Sequence, residues 1–476
     1  MPPPAAAAPA ARVRAALLAA GYTPAAFAEL RRLRHLPGPA AAREVESDRS
    51  PRATLLRLFL AGETVPVAEA EAAVGDALEA FAALELLRED GDGIAATVEI
   101  VPHDELIVAS DRADRAGEAD VVPGLHAPSA TLGTLTIRRQ VERALDLGTG
   151  NGIQALLVSP FAKRVVATDV NERALAFAQL NCALNGRANV ELRLGSLLEP
   201  VAGERFGLVV ANPPYVISPE SRYVFRDSGM GGDRVSASLA AGLPEHLEPG
   251  GHASLMVSWI QEGDEVGPRL RSWVEGSGVD AILVHAATTD ATTAAQQWNR
   301  ELADDAGRFD AAVDEWLAYF AAEGIAQIGY GTLVLRRREH GEPWFAVTDL
   351  TERPSGQASE QLLRLFAAFD AVQLDDEALL RTVVVPAPTA RLRHTREPGE
   401  GGWRDASTEL VLEDALHRGA RLDPGTRDLV LALDGRRTVG EVLAEAAVRA
   451  GATADAAAEG LPTIRRLLGG GYLVPK

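Results

Sequence analysis

ALDLGTGNGIQALLV, Ala144 to Val158, runs from apolar residues through three closely spaced glycines into a second apolar run. ALDL reads as a strand ending near Asp146. Gly148, Gly150 and Gly152 leave the backbone bare where it turns tightly or meets a ligand, and IQALLV begins a helix. A phosphate-binding nucleotide loop would look similar. The same alternation recurs downstream: RVVATDV, NVELRLG, FGLVVAN, HASLMVSW, VDAILVHA and GTLVLRRR are apolar strand candidates. Helical patterns such as NERALAFAQLNCALNG and RFDAAVDEWLAYFAAEG fall between them. Alternating β and α signals predict an α/β domain over 121–350, with a Rossmann-like, seven-stranded sheet covered by helices.

Two carboxylates give the loop its chemistry. Asp146 at the first strand end repels phosphate but suits a cationic ligand, such as the sulfonium and amino group of S-adenosylmethionine. Asp169 closes the next strand about twenty residues on, where nucleotide folds accept hydrogen bonds from ribose hydroxyls. An N-cap for the helix starting at Asn171 would use the same residue.

VVANPPYV, Val209 to Val216, is the second informative stretch. Pro213 removes a backbone donor and drives the chain out of the ladder, while Asn212 before it is held extended. A strand-ending turn also uses Asn and Pro. After a glycine motif and an acidic strand end, in that order, the stretch reads as a rigid clamp.

ALDLGTGNG, TDVN and NPPY together resemble a class I S-adenosylmethionine-dependent methyltransferase. More narrowly, they resemble the NPPY-bearing N-methyltransferases: release-factor glutamine methyltransferases, small-domain ribosomal RNA base methyltransferases and DNA adenine methyltransferases. The resemblance covers 121–350, about half the chain. It implies S-adenosylmethionine as cofactor, held by Asp146, Gly148, Thr149, Gly150, Gly152 and Asp169. It implies that Asn212 and Pro213 accept the two hydrogens of a planar NH2 group, with Pro214 and Tyr215 forming a face for the amide or base. A nitrogen so held can turn its lone pair toward the methyl group, so positioning supplies the catalysis. Ser196 stands where many relatives carry an acidic residue near adenine, leaving backbone groups of Ser196 and Leu197 to serve there. Thr131, in GLHAPSATLGTLTIRR, is the candidate near the methionine end.

GMGGDR, Gly229 to Arg234, resembles the glycine-rich stretch after NPPY in glutamine methyltransferases. A helix-leading loop with Asp233 or Ser236 as cap is the plainer reading. With the acidic surface, the resemblance favours a protein glutamine amide, methylated at N5 in a release-factor-like substrate. The rivals are an exocyclic base amine of RNA or DNA, a small molecule, or a scaffold that has lost catalysis.

The formal charge is -20, and Lys163 and Lys476 are the only lysines. No dense basic cluster appears of the kind that grips nucleic acid broadly. No apolar run reaches the ~20 residues of a membrane span, and none of the nine histidines has ligand spacing for a metal. The single cysteine, Cys182, fits a reducing cytoplasm and a packing role. Residues 1–23 read as a disordered lead and 24–112 as a winged-helix-like module, with a helical bundle and β tail as the alternative. Residues 351–402 read as a Pro/Gly/Arg-rich linker, and 403–476 as a second winged-helix-like module. Oligomeric state is not legible.

Overall fold

The computed structural model describes residues 7–25, 50–115, 118–219, 226, 230–303, 305–352, 354–453 and 458–476. Two compact units divide the chain. The first comprises Met1–Gly133, Arg138–Asp280 and Thr288–Pro343, and the second Thr134–Ile137, Ala281–Ala287 and Trp344–Lys476.

The first unit is built on strands β1 (Val141–Leu147), β2 (Ala162–Asp169), β3 (Val190–Leu194), β4 (Phe206–Ala211) and β5 (Leu247–Ile260). Strand β7 (Gln327–Arg337) also belongs to it, while β6 (Val279–Asp290) lies mostly in the second unit, so all seven anticipated strands form. Within this unit the order is β7-β5-β4-β1-β2-β3. The β1–β5 pairs are parallel, and β7 runs antiparallel to β5 from His252↔Arg336 to Ile260↔Ile328. Leu145, Val165, Val166, Val209 and Val210 are fully buried, as expected for parallel strands covered on both faces. The chain runs from β1 outward to β3 and then returns to place β4 on the other side of β1. Such a reversal opens a crevice at the carboxyl ends of β1 and β4.

The N-terminal residues join this unit rather than standing apart. Ala7–Ala19, part of the expected disordered lead, is a helix that fully buries Ala10, Val13 and Leu17 at three- and four-residue spacing. Tyr22 anchors its end, donating its hydroxyl to the Ile100 carbonyl at 2.7 Å. Next come helix Pro51–Leu56, capped by Ser50, strand Val65–Pro66, helices Val67–Val74 and Leu78–Ala83, and hairpin Leu87–Asp90/Gly93–Ala96. Val65–Pro66 pairs with Gly93 and Ile94, so the order is helix, strand, two helices and hairpin. A second hairpin follows, in which Glu99–His103 pairs with Leu106–Ser110.

This module shares one core with the helix Glu172–Leu184 that follows β2. Phe59, Phe81 and Ile100 pack in the same cluster as Phe177, Leu180 and Leu184. Asn181, fully buried, donates to the carbonyls of Ala109 and Asn151 and accepts from Ala109 N. One side chain thereby ties the N-terminal hairpin to the glycine turn.

The second unit differs most from expectation. Phe345–Asp349 is an additional strand, β8, parallel to β6 with Ala281 opposite Phe345. Residues 351–402 are not a linker: they hold helices Ser359–Val372 and Asp376–Arg381 and strands Val384–Pro386 and Ala390–Gly399. Ala390–Gly399 forms a long hairpin with Gly402–Leu412, to which Arg418–Leu422 adds a third strand. The C-terminal module therefore begins well before Trp403. Helices Pro424–Ala432, Val439–Arg449 and Leu461–Gly469 follow, and Leu473–Pro475 pairs back onto Val384–Pro386. Among the described residues no helix is long and apolar enough to cross a membrane.

Candidate active site

A cleft of about 510 Å³ opens at the carboxyl ends of β1, β2 and β4, within the range of ~300–1,000 Å³ usual for small-molecule sites. Gly148, Thr149, Gly150, Asp169, Ser196, Leu197, Asn212, Pro213 and Pro214 all line it. The topology thus brings together residues that the sequence spreads over four strand ends, those of β1, β2, β3 and β4.

The glycine turn has the geometry its composition promised. Gly148, Gly150 and Gly152 have φ of 71°, 55° and 85°, in the left-handed region that favours glycine. A Cβ on Gly152 would lie 3.0 Å from the Ala178 backbone, so this glycine packs the turn against the helix instead of meeting a ligand. Gly148 abuts the clamp: a Cβ there would sit 3.8 Å from the Asn212 carbonyl oxygen and 3.9 Å from Pro213 Cα.

Asp146 braces the turn from beneath and does not line the cleft. It is fully buried, and its Oδ2 accepts from Thr149 Oγ1 at 2.6 Å and Ala155 N at 2.8 Å. Its Oδ1 is buried without a hydrogen-bond partner. Burial pushes its pKa up to about 7, against the pull of the bonds from Thr149 and Ala155, and the charge of Asp169 adds to the rise. Its expected contact with the cationic part of a ligand therefore gives way to support of the loop.

Asp169 does line the cleft. Its Oδ2 accepts from Gly150 N and its Oδ1 from Asn171 N, each at 2.9 Å. Burial raises its pKa, and those two backbone hydrogen bonds oppose the rise. Asn171, not Asp169, caps the helix, accepting from Arg173 N at 2.9 Å. Beyond β3, Leu197 holds φ 46°, an uncommon conformation for a branched side chain, beside Ser196.

At the clamp, Asn212 Nδ2 donates to Ser129 Oγ at 3.4 Å, and Asn212 Oδ1 is buried without a partner. Such an unpaired acceptor costs free energy unless something else supplies the hydrogen bond. Tyr215 does not line the cleft; it turns into the core with Leu132, Met256, Trp316 and Phe320. Burial raises its phenol pKa, and its carbonyl accepts the Ser258 hydroxyl. The aromatic face expected there is therefore absent from the cleft wall. Thr131 also lies off the cleft; Ser129 and His126 of the same segment line it instead. Ser129 and Thr131 share the helix Ala127–Leu135, where positions two apart point to different faces.

Sequence reasoning missed the strap Val121–His126 that forms one wall. Asp111 holds it, accepting from Val122 N at 2.8 Å while Asp111 N donates to the Val122 carbonyl. Arg173 pairs with Asp111, and Asn151 Nδ2 donates to the Pro123 carbonyl at 3.0 Å. Gln154, on the first helix after the glycines, donates to the Ser129 carbonyl at 2.7 Å and also lines the cleft. A polar residue inside the apolar run IQALLV was the one available signal for it.

Gly229 lies outside the described residues. Asp233 stands at the N-cap position of helix Arg234–Gly242 without a capping hydrogen bond. Its carboxylate instead accepts from Ile260 N at 2.9 Å and pairs with Arg269. Ser236 does not cap either; its Oγ accepts from Ser258 N at 3.3 Å.

The cleft suits S-adenosylmethionine. It offers apolar walls at Val121, Val122, Ile153 and Leu197, a carboxylate at Asp169 and glycine backbone at Gly148 and Gly150.

Residues 129–258 match the family model described as methyltransferase small domain, and residues 10–97 match a domain of unknown function (DUF7059). The release factor glutamine methyltransferase of Xylella fastidiosa is 37% identical over 153 residues, covering 29% of this chain and 54% of the relative. That of Cereibacter sphaeroides is 36% identical over 154 residues, covering 29% and 53%. The ribosomal protein uL3 glutamine methyltransferase of Bradyrhizobium diazoefficiens is 36% identical over 124 residues, covering 23% and 39%. The chain thus spans about half the length, or less, of these curated relatives.

Proposed function

We propose, from the class I S-adenosylmethionine-dependent methyltransferase domain that residues 129–258 carry, that this protein methylates a glutamine side-chain amide at N5 in a protein substrate. The observation that carries this reading is the clamp itself. Asn212, with its buried and unpartnered Oδ1, stands against the glycine turn at the switch point of the sheet.

S-adenosylmethionine, when bound, supplies a methyl group on a positively charged sulfur. Asp169 is placed to accept hydrogen bonds from ribose hydroxyls. Backbone groups at Ser196 and Leu197 serve the adenine end. Asn212 Oδ1 and the Pro213 carbonyl each accept one N–H of the substrate amide. Both acceptors sit on a chain that two prolines stiffen, so little reorganisation is required on binding. With its hydrogens held, the amide nitrogen turns its lone pair out of conjugation. The amide nitrogen would take the methyl group as its bond to sulfur breaks, leaving neutral S-adenosylhomocysteine, and would release one proton to solvent to give an N-methyl amide.

The names of the relatives support a release factor or a ribosomal protein as the substrate class. A net charge of -20 supports a protein over a nucleic acid partner. The test is transfer of radiolabelled methyl from S-adenosylmethionine into lysate, with parallel protease and nuclease digestion. Label released by protease is expected, and Asn212→Ala should lower transfer by ~10²-fold or more while cofactor affinity in calorimetry holds. Label released only by nuclease would transfer the assignment to a base amine.

A further inference from the structure

We propose that Ser129 is a positioning residue for Asn212, and that His126 sets the direction of the Ser129 hydroxyl. The kinetic part of this proposal rests on the reading above, in which Asn212 holds the substrate nitrogen.

An asparagine amide has two ends of nearly equal shape and opposite hydrogen-bonding sense. The clamp works with the oxygen toward the substrate; a flipped amide would present NH2 to an N–H it must accept. Rigid backbone at Asn212–Pro213–Pro214 does not choose between these two states. Ser129 does. It is buried at 5% exposure, and Gln154 fixes it by donating to its carbonyl at 2.7 Å. Ser129 Oγ accepts from Asn212 Nδ2 at 3.4 Å, which leaves Oδ1 as the free acceptor.

A hydroxyl has one proton and two lone-pair sites, so its own donor bond decides what it offers its neighbour. Ser129 Oγ lies 2.7 Å from His126 Nδ1. With Nδ1 unprotonated, the serine proton goes to His126 and its lone pairs stay available to the Asn212 amide. With Nδ1 protonated, the imidazole donates to Ser129, and the hydroxyl proton rotates toward Asn212. That arrangement favours the flipped amide. His126 is exposed at the cleft, so solvent protons reach it. The titratable side chains among the described residues lining the cleft are His126 and Asp169. Asp146 lies beneath the same wall, so the test includes variants that separate the imidazole from both carboxylates.

The experiment follows the ¹⁵N-labelled side-chain amide of Asn212 in the full chain, identified by its loss in Asn212→Ala, from roughly pH 5 to 8. In the wild type the resonance should move in one titration step. The step should vanish in His126→Gln and Ser129→Ala and persist in Ser129→Thr, which keeps the hydroxyl. In parallel, Ser129→Ala should lower kcat for methyl transfer by about tenfold, the worth of one hydrogen bond. KM for the cofactor should stay unchanged, and Ser129→Thr should restore the rate. An Asn212 resonance with the same pH dependence in Ser129→Ala as in the wild type overturns the proposal, as does the absence of any step in the wild type. The expected resonance pattern without methyl transfer to glutamine would uphold the positioning role and refute the proposed substrate.

Discussion

Asp146→Asn should flatten the pH dependence of stability in the first unit. The carboxyl is fully buried, has one unpartnered oxygen, and has its pKa pushed up to about 7 by burial. In the unfolded chain an aspartate titrates near ~3.9. The folded state therefore holds a proton that the unfolded chain has already released, over the window between those values. With the folded pKa raised, the stabilisation is fully present below ~3.9 and is lost as pH rises through about 7. From about pH 5 to 8, roughly two pH units lie in the sloping region, worth ~2.7 kcal/mol at ~1.36 kcal/mol per unit. Asparagine keeps the shape and an acceptor for Thr149 and Ala155 but has no proton to lose. Urea unfolding at the two pH values, followed by tryptophan fluorescence, reads the difference. Trp259 and Trp316 are fully buried in this unit and serve as reporters. Other titrating groups cancel in the comparison of wild type with variant. Parallel stability profiles for the two proteins would refute the assignment of a high pKa to Asp146.

Gly152→Ala should lower Tm, because a Cβ would sit 3.0 Å from the Ala178 backbone at φ 85°; left-handed backbone alone costs ~1–2 kcal/mol. Phe177→Ala should cost ~3–5 kcal/mol in chemical denaturation and loosen the N-terminal module, since Phe177 belongs to the shared core. Limited proteolysis would locate that loosening. Asp111→Ala removes the anchor of the strap and leaves Arg173 without its carboxylate. It should weaken cofactor binding in calorimetry more than it lowers kcat at saturation. Cys182, whose thiol burial pushes up to about 12, should resist thiol reagents at neutral pH until the protein unfolds.

The sheet was legible because its strands are apolar runs separated by helical periodicity, and the two motifs mark its strand ends. What stayed hidden lacked those signals. The hairpin Ala390–Gly399/Gly402–Leu412 is exposed over most of its length, so no alternating apolar face marks it. Cross-strand ion pairs hold it instead, Arg396 with Asp405 and Arg404 with Glu397, and charged residues with Pro and Gly read as linker. Ala7–Ala19 was obscured by alanine-rich sequence whose buried positions are small. Strand β8 is five residues long and buries only Thr348, so no apolar run marks it. In the site, residue types identified Asp146 and Tyr215, but which way each points depended on tertiary packing. The Ser129–Asn212 contact joins residues far apart in the chain, and the Asp111–Val122 anchor closes a loop with no apolar periodicity, so neither has a local signature.

The core shared by the N-terminal module and the helix Glu172–Leu184 limits how this protein can be rearranged. A chain cut at Val121 would turn the apolar faces of Phe177, Leu180 and Leu184 to water, on the helix that Asn171 caps next to Asp169. The module is therefore no detachable cassette. Recombination that swapped it for another fold would have to redesign the outer face of that helix as well, and evolution of the two parts is tied at that seam.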